Sequence, residues 1–186
     1  MTKIFFDTEF TGLHQETTLI SFGAISECGK TFYAEFTDFD YSQIDKWLKL
    51  NVIDNLILSD EHNREVSEHE IINSDELNIK GDEDFIASCL KEWLSQFDKV
   101  EMWSDCLSYD WVLFVNLFGN AFDIPSNVYY IPFDICTMFK LKRIDTDINR
   151  EHFAFGEFIS EMDTQKHNAL WDAKVIMNCH GKLSLL

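Results

Sequence analysis

A chain of 186 residues, 46% of them hydrophobic, is long enough to bury a sizeable core, so we expect one globular domain spanning residues 1–186. The formal net charge of −18 argues against general binding of duplex DNA, because such binding needs a basic surface. No apolar run of about 18 residues and no signal-peptide pattern occurs, which argues against a membrane span and against secretion. The five scattered cysteines form no C-x-x-C motif and predict reduced thiols in a cytoplasmic protein.

The first predicted strand, residues 3–6, is followed by two closely spaced acids, Asp7 and Glu9. In an extended chain, residues two apart project to the same face, so both carboxylates point together and Thr8 points away. Adjacent anions repel unless a cation lies between them, and oxygen ligands favour Mg²⁺ or Mn²⁺. Acids also commonly follow strands as ordinary exposed residues. A metal site therefore requires partners from elsewhere in the chain.

The next segments predict a meander and then an acidic region. Residues 17–25 and 30–36 read as strands joined by a tight hairpin at 27–29, so the first three strands are expected to pair antiparallel. Residues 42–58 carry apolar side chains at nearly helical spacing and predict a helix. Residues 59–84 hold ten acids and two bases, which predicts a mobile loop or a short solvated helical excursion.

The second half of the chain alternates between helical and extended patterns. Two strands are predicted, at 99–103 and 128–131. The predicted helices cover residues 85–97, 108–118 (capped by Ser108), 133–142 and 168–183. The sequence thus predicts an α/β domain with a central mixed sheet of about five strands and helices on both faces.

One candidate partner of the two N-terminal acids is Asp110, in the first turn of the helix after the fourth predicted strand. Strand-to-helix junctions in open α/β sheets commonly form the ligand crevice, which favours Asp110. An acid there also suits the helix dipole without any ligand. Asp105, at the end of the strand, is a competing ligand.

The other candidate partners are His167 and Asp172. Residues five apart on one helix diverge by about 140°, so these two converge only if His167 lies in the loop before the helix. Asn168 as N-cap would place it there, with Asp172 in the first turn. His167 alone would read as an exposed loop histidine. With the placed carboxylates it becomes a candidate catalytic base.

These residues resemble the motifs of a known family. Asp7-Thr-Glu9-Phe-Thr-Gly-Leu13, Ser-Tyr-Asp110 and His167-x4-Asp172 look like the three motifs of the DEDDh 3′–5′ exonucleases, of the RNase T and oligoribonuclease type. The resemblance spans nearly the whole chain and implies a ribonuclease H-like fold. The short length and the Asp-Thr-Glu-Phe opening are most similar to the small mycobacterial-type exoribonuclease branch. Many relatives carry His-Asn where this chain has Asp105-Cys106.

The resemblance implies a metal-dependent enzyme that releases nucleoside 5′-monophosphates from the 3′ end of single-stranded or short nucleic acid, with RNA favoured. It implies two Mg²⁺ or Mn²⁺ ions per site, with Asp7 bridging both, Glu9 and Asp172 completing one site and Asp110 helping to hold the second. His167 would deprotonate the attacking water. The residues implied to hold the terminal nucleotide are Phe10, Thr11, Gly12 and Leu13. Relatives are often homodimers, so the resemblance also implies a homodimer.

The uneven charge bears on the substrate and on the alternatives. Residues 140–182 carry seven Lys or Arg against seven Asp or Glu, so a polyanion is expected beside this part of the chain. The acidic remainder predicts weak steering and hence short or single-stranded substrates.

Two alternatives remain: a 3′–5′ DNA exonuclease of the repair or proofreading type, and a non-catalytic acidic nucleic-acid mimic or binding protein on the same scaffold. Trp103 and Trp111 are interpreted as core residues rather than as base-stacking ones.

Overall fold

The computed structural model describes residues 1–156 and 166–186. Its six strands are β1 (Thr2–Phe10), β2 (Leu19–Ser26), β3 (Thr31–Phe36), β4 (Glu76–Gly81), β5 (Val100–Ser104) and β6 (Phe133–Asp134). They form one sheet in the order β4-β3-β2-β1-β5-β6. β1, β2 and β3 pair antiparallel and the other neighbours pair parallel, which confirms the predicted meander and mixed sheet.

Helices cover both faces of this sheet, as predicted. They are α1 (Lys46–Asn51), α2 (Glu68–Asn73), α3 (Glu83–Ser95), α4 (Ser108–Asn116), α5 (Ile135–Leu141), α6 (Arg150–Phe155) and α7 (Ala169–Leu185). α3 and α4 pack on one core, and α5, α6 and α7 pack on the other. None of the helices in the described ranges is both long and apolar enough to cross a membrane.

Successive side chains of β1 alternate between the two faces of the sheet. Ile4 and Phe6 enter the core under α3 and α4, whereas Phe5 enters the core under α7. Because successive strand residues alternate, Asp7 and Glu9 continue the α7 face. β1 extends past its predicted end, since backbone pairing with β2 continues to Phe10. The two acids therefore lie within the strand rather than after it.

The single helix predicted over residues 42–58 is wrong. The segment contains a 3-10 turn at Tyr41–Gln43, then α1, then a second 3-10 turn at Ile53–Asn55. Asp40 accepts the Ser42 N–H and Asp45 accepts the Leu48 N–H. Each aspartate caps a new helical start, and this divides the segment into short pieces.

The prediction for residues 59–84 is right in part. A 3-10 turn at Asp60–His62 and α2 form the solvated helical excursion. The last part is wrong, because residues 76–81 form β4 at the sheet edge, parallel to β3. Leu77 and Ile79 of β4 are buried, and this short apolar alternation was the available signal.

The boundaries near residue 130 also differ from the prediction. Val128 makes only an isolated bridge to Val100, and the strand itself is β6, where a helix start was predicted. Asp134 accepts the Cys136 N–H, so α5 begins after it. Ser108 is the first residue of α4 rather than its cap. α6 was not predicted.

Candidate active site

Three carboxylates converge where β1 passes under the start of α7. Oxygen atoms of Asp7, Glu9 and Asp172 all lie within 4.8 Å of one another. The first two come from adjacent same-face positions of β1, as predicted, and the third comes from the first turn of α7. All the donors are carboxylate oxygens, the ligand type that Mg²⁺ and Mn²⁺ prefer.

A glycine in the neighbouring strand lets α7 reach β1. Gly23 pairs with Asp7 across the sheet. A Cβ at this position would lie 2.2 Å from the Leu170 nitrogen and 2.3 Å from the Ala169 carbonyl carbon. The helix backbone therefore rests directly on the glycine. Sequence reasoning missed this residue, although a lone glycine inside a strand pattern often marks a close backbone approach.

The helix start is built as predicted. Asn168 is the N-cap of α7, and its side chain accepts the Trp171 N–H at 3.0 Å. His167 lies in the preceding loop with φ +62°. His167 just before the cap and Asp172 in the first turn therefore lie at the same end of the helix.

Burial and mutual repulsion raise the pKa values of the clustered acids. Burial, followed by the charges of Asp172 and Asp110, raises the pKa of Glu9 to about 8. Burial and the charge of Glu151 raise the pKa of Asp172 to about 7. Burial, then the nearby carboxylates, raises the pKa of Asp7 well above its usual range. Such a cluster favours bound protons or a bound cation.

Asp110 lies outside this trio, in a buried position in the first turn of α4. Its carboxylate accepts hydrogen bonds from the Thr8 hydroxyl at 2.6 Å and the Ser104 hydroxyl at 2.8 Å. Burial raises its pKa to about 6, although the hydroxyl hydrogen bonds oppose that shift. Among neighbouring charges, Asp110 contributes most to the raised pKa of Asp7, so the two carboxylates are electrostatic neighbours.

Asp105 forms an ion pair with Arg150 and does not belong to the acidic trio. Arg150 contacts both of its carboxylate oxygens, with Nε 2.6 Å from Oδ2 and Nη2 3.1 Å from Oδ1. The Cys136 thiol donates to Oδ1 at 3.0 Å. The bidentate ion pair fixes the orientation of Asp105.

His167 lies next to the acidic cluster. Its Nδ1 is 3.8 Å from Glu9 Oε1, and its ring meets the Trp47 ring edge-on at 5.0 Å between centroids. Burial and the charge of Lys166 lower the pKa of His167. The imidazole is therefore neutral near pH 7 and able to accept a proton.

A groove of about 510 Å³ opens beside Glu9. Its lining includes Phe10 to Leu13, the four predicted nucleotide-binding residues, and Trp47 and Leu48 from α1. Phe10 stacks on Tyr109 with 5.3 Å between ring centroids, and Leu13 is 78% exposed. Sequence reasoning did not single out Trp47, since nothing in its local pattern separates it from a core tryptophan. Trp103 and Trp111 pack against the two cores, as predicted.

Comparisons with known proteins agree with this architecture. A family profile described as 3′-5′ exoribonuclease Rv2179c-like domain matches residues 2–182. Among solved structures, the chain is similar to the Neurospora crassa Pan2 catalytic unit, which comprises a protease and a nuclease domain, with a TM-score of 0.50 and 15% identity. That match covers 99% of this chain and 27% of the other, and it shows a shared ribonuclease H-like fold. No curated protein matches the chain.

Proposed function

The chain belongs to the Rv2179c-like 3′-5′ exoribonuclease domain family, and we propose that it is a divalent-metal-dependent enzyme that trims single-stranded or short RNA from its 3′ end. The products would be nucleoside 5′-monophosphates. The observation that carries the proposal is the convergence of Asp7, Glu9 and Asp172 beside His167. A mimic or binding protein gains nothing from three acids that converge beside a histidine, so this convergence favours an enzyme.

The donor set fits a hard divalent cation. Asp7, Glu9 and Asp172 offer only carboxylate oxygens, and their raised pKa values mark a place where negative charge is in excess. Bound there, Mg²⁺ or Mn²⁺ would neutralise the phosphoryl oxygens and acidify the attacking water.

We assign Asp110 to a second cation. Each of its oxygens accepts one hydroxyl hydrogen bond, from Thr8 or Ser104, and a carboxylate oxygen has a further lone pair available. The two hydroxyls would hold Asp110 in a single orientation. Its electrostatic proximity to Asp7 supports a shared, bridging role for Asp7.

His167 is the proposed general base. Its imidazole, neutral near pH 7, lies at the edge of the acidic cluster with Nδ1 directed toward Glu9. From there it would take a proton from the attacking water and release it to solvent, since its side chain is 37% exposed.

The groove beside Glu9 is the proposed site of the terminal nucleotide. Phe10 is held flat against Tyr109, and the exposed side chain of Leu13 is available to pack on a base. Thr11 is buried, and its hydroxyl accepts the Thr18 N–H at 2.9 Å, which fixes the loop that carries Gly12 and Leu13. Trp47 also lines the groove, is 53% exposed and offers a second apolar surface for a base.

The test is cleavage of end-labelled single-stranded RNA and DNA of matched sequence with Mg²⁺ or Mn²⁺. We expect stepwise shortening from the 3′ end, faster on RNA, and its loss in chelator, in Asp172→Asn and in His167→Ala. The matched controls are Asp98→Asn and His69→Ala, which change exposed residues away from the cluster and should retain full activity.

The alternatives give different results in the same assay. Faster cleavage of DNA would replace the RNA assignment with a DNA exonuclease. Absence of cleavage of either strand with any metal would overturn the enzyme proposal in favour of an acidic binding protein or mimic.

A further inference from the structure

Two cysteines lie side by side near the second sequence motif. The Sγ atoms of Cys106 and Cys136 are 3.5 Å apart, although 30 residues separate them along the chain. Cys106 is exposed in the connection between β5 and α4, and Cys136 is half-buried in the first turn of α5. No step of the proposed hydrolysis uses either thiol.

We propose that Cys106 and Cys136 are a modification site, where a reversible disulfide forms by exchange with a small-molecule disulfide of the glutathione type. A disulfide needs an S–S distance of about 2.05 Å, so the two sulfur atoms must close by roughly 1.5 Å. The exposure of the Cys106 side chain favours the small rotation that this closure requires. Its backbone holds φ +54° in a connection rather than in a helix or strand.

The pair is accessible to a small oxidant. Cys106 and Cys136 both line a cavity of about 490 Å³, and this volume lies in the range that holds a small ligand. Lys140 lines the cavity and provides a cation for the carboxylates that a peptide disulfide such as oxidised glutathione carries.

The exchange proceeds in two balanced steps. The Cys106 thiol loses its proton to water, and the thiolate attacks one sulfur of the small disulfide, so that the first small thiolate leaves and takes up a proton from water. The Cys136 sulfur, 3.5 Å from Cys106 Sγ, then attacks that sulfur, and the Cys136 thiol passes its proton to the leaving small thiolate. The second small thiol leaves with that proton. The two cysteines lose two electrons and the small disulfide gains them.

A metal ion is the competing use of these groups. Ligand atoms of Asp105, Cys106 and Cys136 lie within 4.8 Å of one another, a grouping that Zn²⁺ could use. Arg150 already occupies this position, with its guanidinium on both oxygens of Asp105 and Nη2 3.3 Å from Cys136 Sγ. A fixed cation there repels a second cation, and this favours thiol exchange over metal binding.

The structural effect of the disulfide would be to tie α5 to the connection that leads from Ser104 to Asp110. Closing this loop removes conformational freedom from the unfolded chain. The oxidised protein is therefore expected to melt at a higher temperature than the reduced protein.

The experiment equilibrates the full chain with reduced and oxidised glutathione, blocks free thiols, and maps the linked peptides by mass spectrometry. We expect the peptide of Cys106 linked to that of Cys136, loss of two alkylatable thiols, and full reversal by dithiothreitol. Cys136→Ser should instead retain glutathione on Cys106, because the second step cannot occur. Cys28→Ser removes another exposed thiol and should leave the disulfide unchanged.

Other outcomes overturn the proposal. Glutathione that stays on Cys106 of the unsubstituted chain would show that Cys136 does not resolve it. Binding of one Zn²⁺ per chain that protects both thiols from exchange would assign a metal site instead. None of these readouts depends on nuclease activity, so the result stands apart from that of the proposed function.

Discussion

Gly23 lies opposite Asp7 in the pairing of β1 and β2, and the α7 backbone covers it so closely that a Cβ would stand 2.3 Å from the Ala169 carbonyl carbon. Gly23→Ala must therefore push the start of α7, and with it Asp172, away from β1. We expect a loss of about 1–3 kcal/mol in the free energy of unfolding, as for other overpacked cores. Urea unfolding measures this loss, and stabilisation by Mn²⁺ should shrink in parallel.

Gly181→Ala is the matched control, because it lies within the same helix and a Cβ there meets open space. Alanine is the better helix former, so this change should stabilise the chain by about 0.5–1 kcal/mol. Equal stabilities of the two variants would show that α7 is not held in place by Gly23.

The metal-free protein should lose stability as the pH rises. The folded-state pKa values of Glu9, Asp172 and Asp110 are about 8, about 7 and about 6, above the ordinary values of 4.5, 3.8 and 3.8. Between about pH 4 and pH 8 the folded chain therefore binds more protons than the unfolded chain, and the free energy of unfolding falls. Melting temperatures in chelator should fall across this range.

Glu9→Gln tests whether the pH dependence of the melting temperature comes from the acidic cluster or from the net charge of the whole chain. This variant should show a shallower fall in melting temperature with pH, whereas Asp98→Asn should follow the unsubstituted protein. Mn²⁺ should stabilise the protein more at about pH 8 than at about pH 5, because protons compete for the same oxygens. A pH slope unchanged in Glu9→Gln would contradict the raised pKa of Glu9.

His167→Ala should lower kcat by about 10²–10⁴, the usual contribution of a positioned general base. The proposed metal ligands are the three clustered carboxylates and not His167, so Mn²⁺ should still stabilise this variant. Steady-state kinetics and thermal shifts measured together check both expectations. Loss of the metal-dependent shift would instead make His167 a ligand.

Trp47→Ala should weaken substrate binding. Stacking of a base on an aromatic side chain contributes about 1–3 kcal/mol, so kcat/KM on short RNA should fall by roughly 5- to 150-fold. Trp47→Phe should recover most of the activity. Tyr130→Ala removes an aromatic ring that is 68% exposed outside the groove, and it should match the unsubstituted protein. An equal loss in both variants would count against the groove as the substrate site.

Arg150→Met should destabilise the chain by about 2–3 kcal/mol. The side chains of Arg150 and Asp105 are only 17% and 20% exposed, so the substitution leaves a largely buried carboxylate unpaired. Thermal unfolding measures the loss. Lys49→Met breaks an exposed ion pair with Asp54 and should change stability little. Equal effects would mean that the buried ion pair contributes no more than a surface pair.

Local sequence was sufficient where the determining interactions are between near neighbours. The spacing of Asp7 and Glu9 placed both acids on one face, because strand geometry has a period of two. Asn168 fixed the start of α7 and left His167 outside it, because a cap bonds within its own first turn. The hairpin at Gly29, with φ +96°, follows from the same kind of local stereochemistry.

Tertiary structure decided whatever depends on residues distant in the chain. Trp47 reads like any core tryptophan until α1 places it against His167, 120 residues away in the sequence. Gly23 shows its role only when α7 packs on it, and Asp105 becomes a partner of Arg150 rather than a member of the acidic trio. The physical reason is the same in each case. Packing and ion pairing depend on how close residues lie in space, and a sequence pattern shows this only for residues that are also close along the chain.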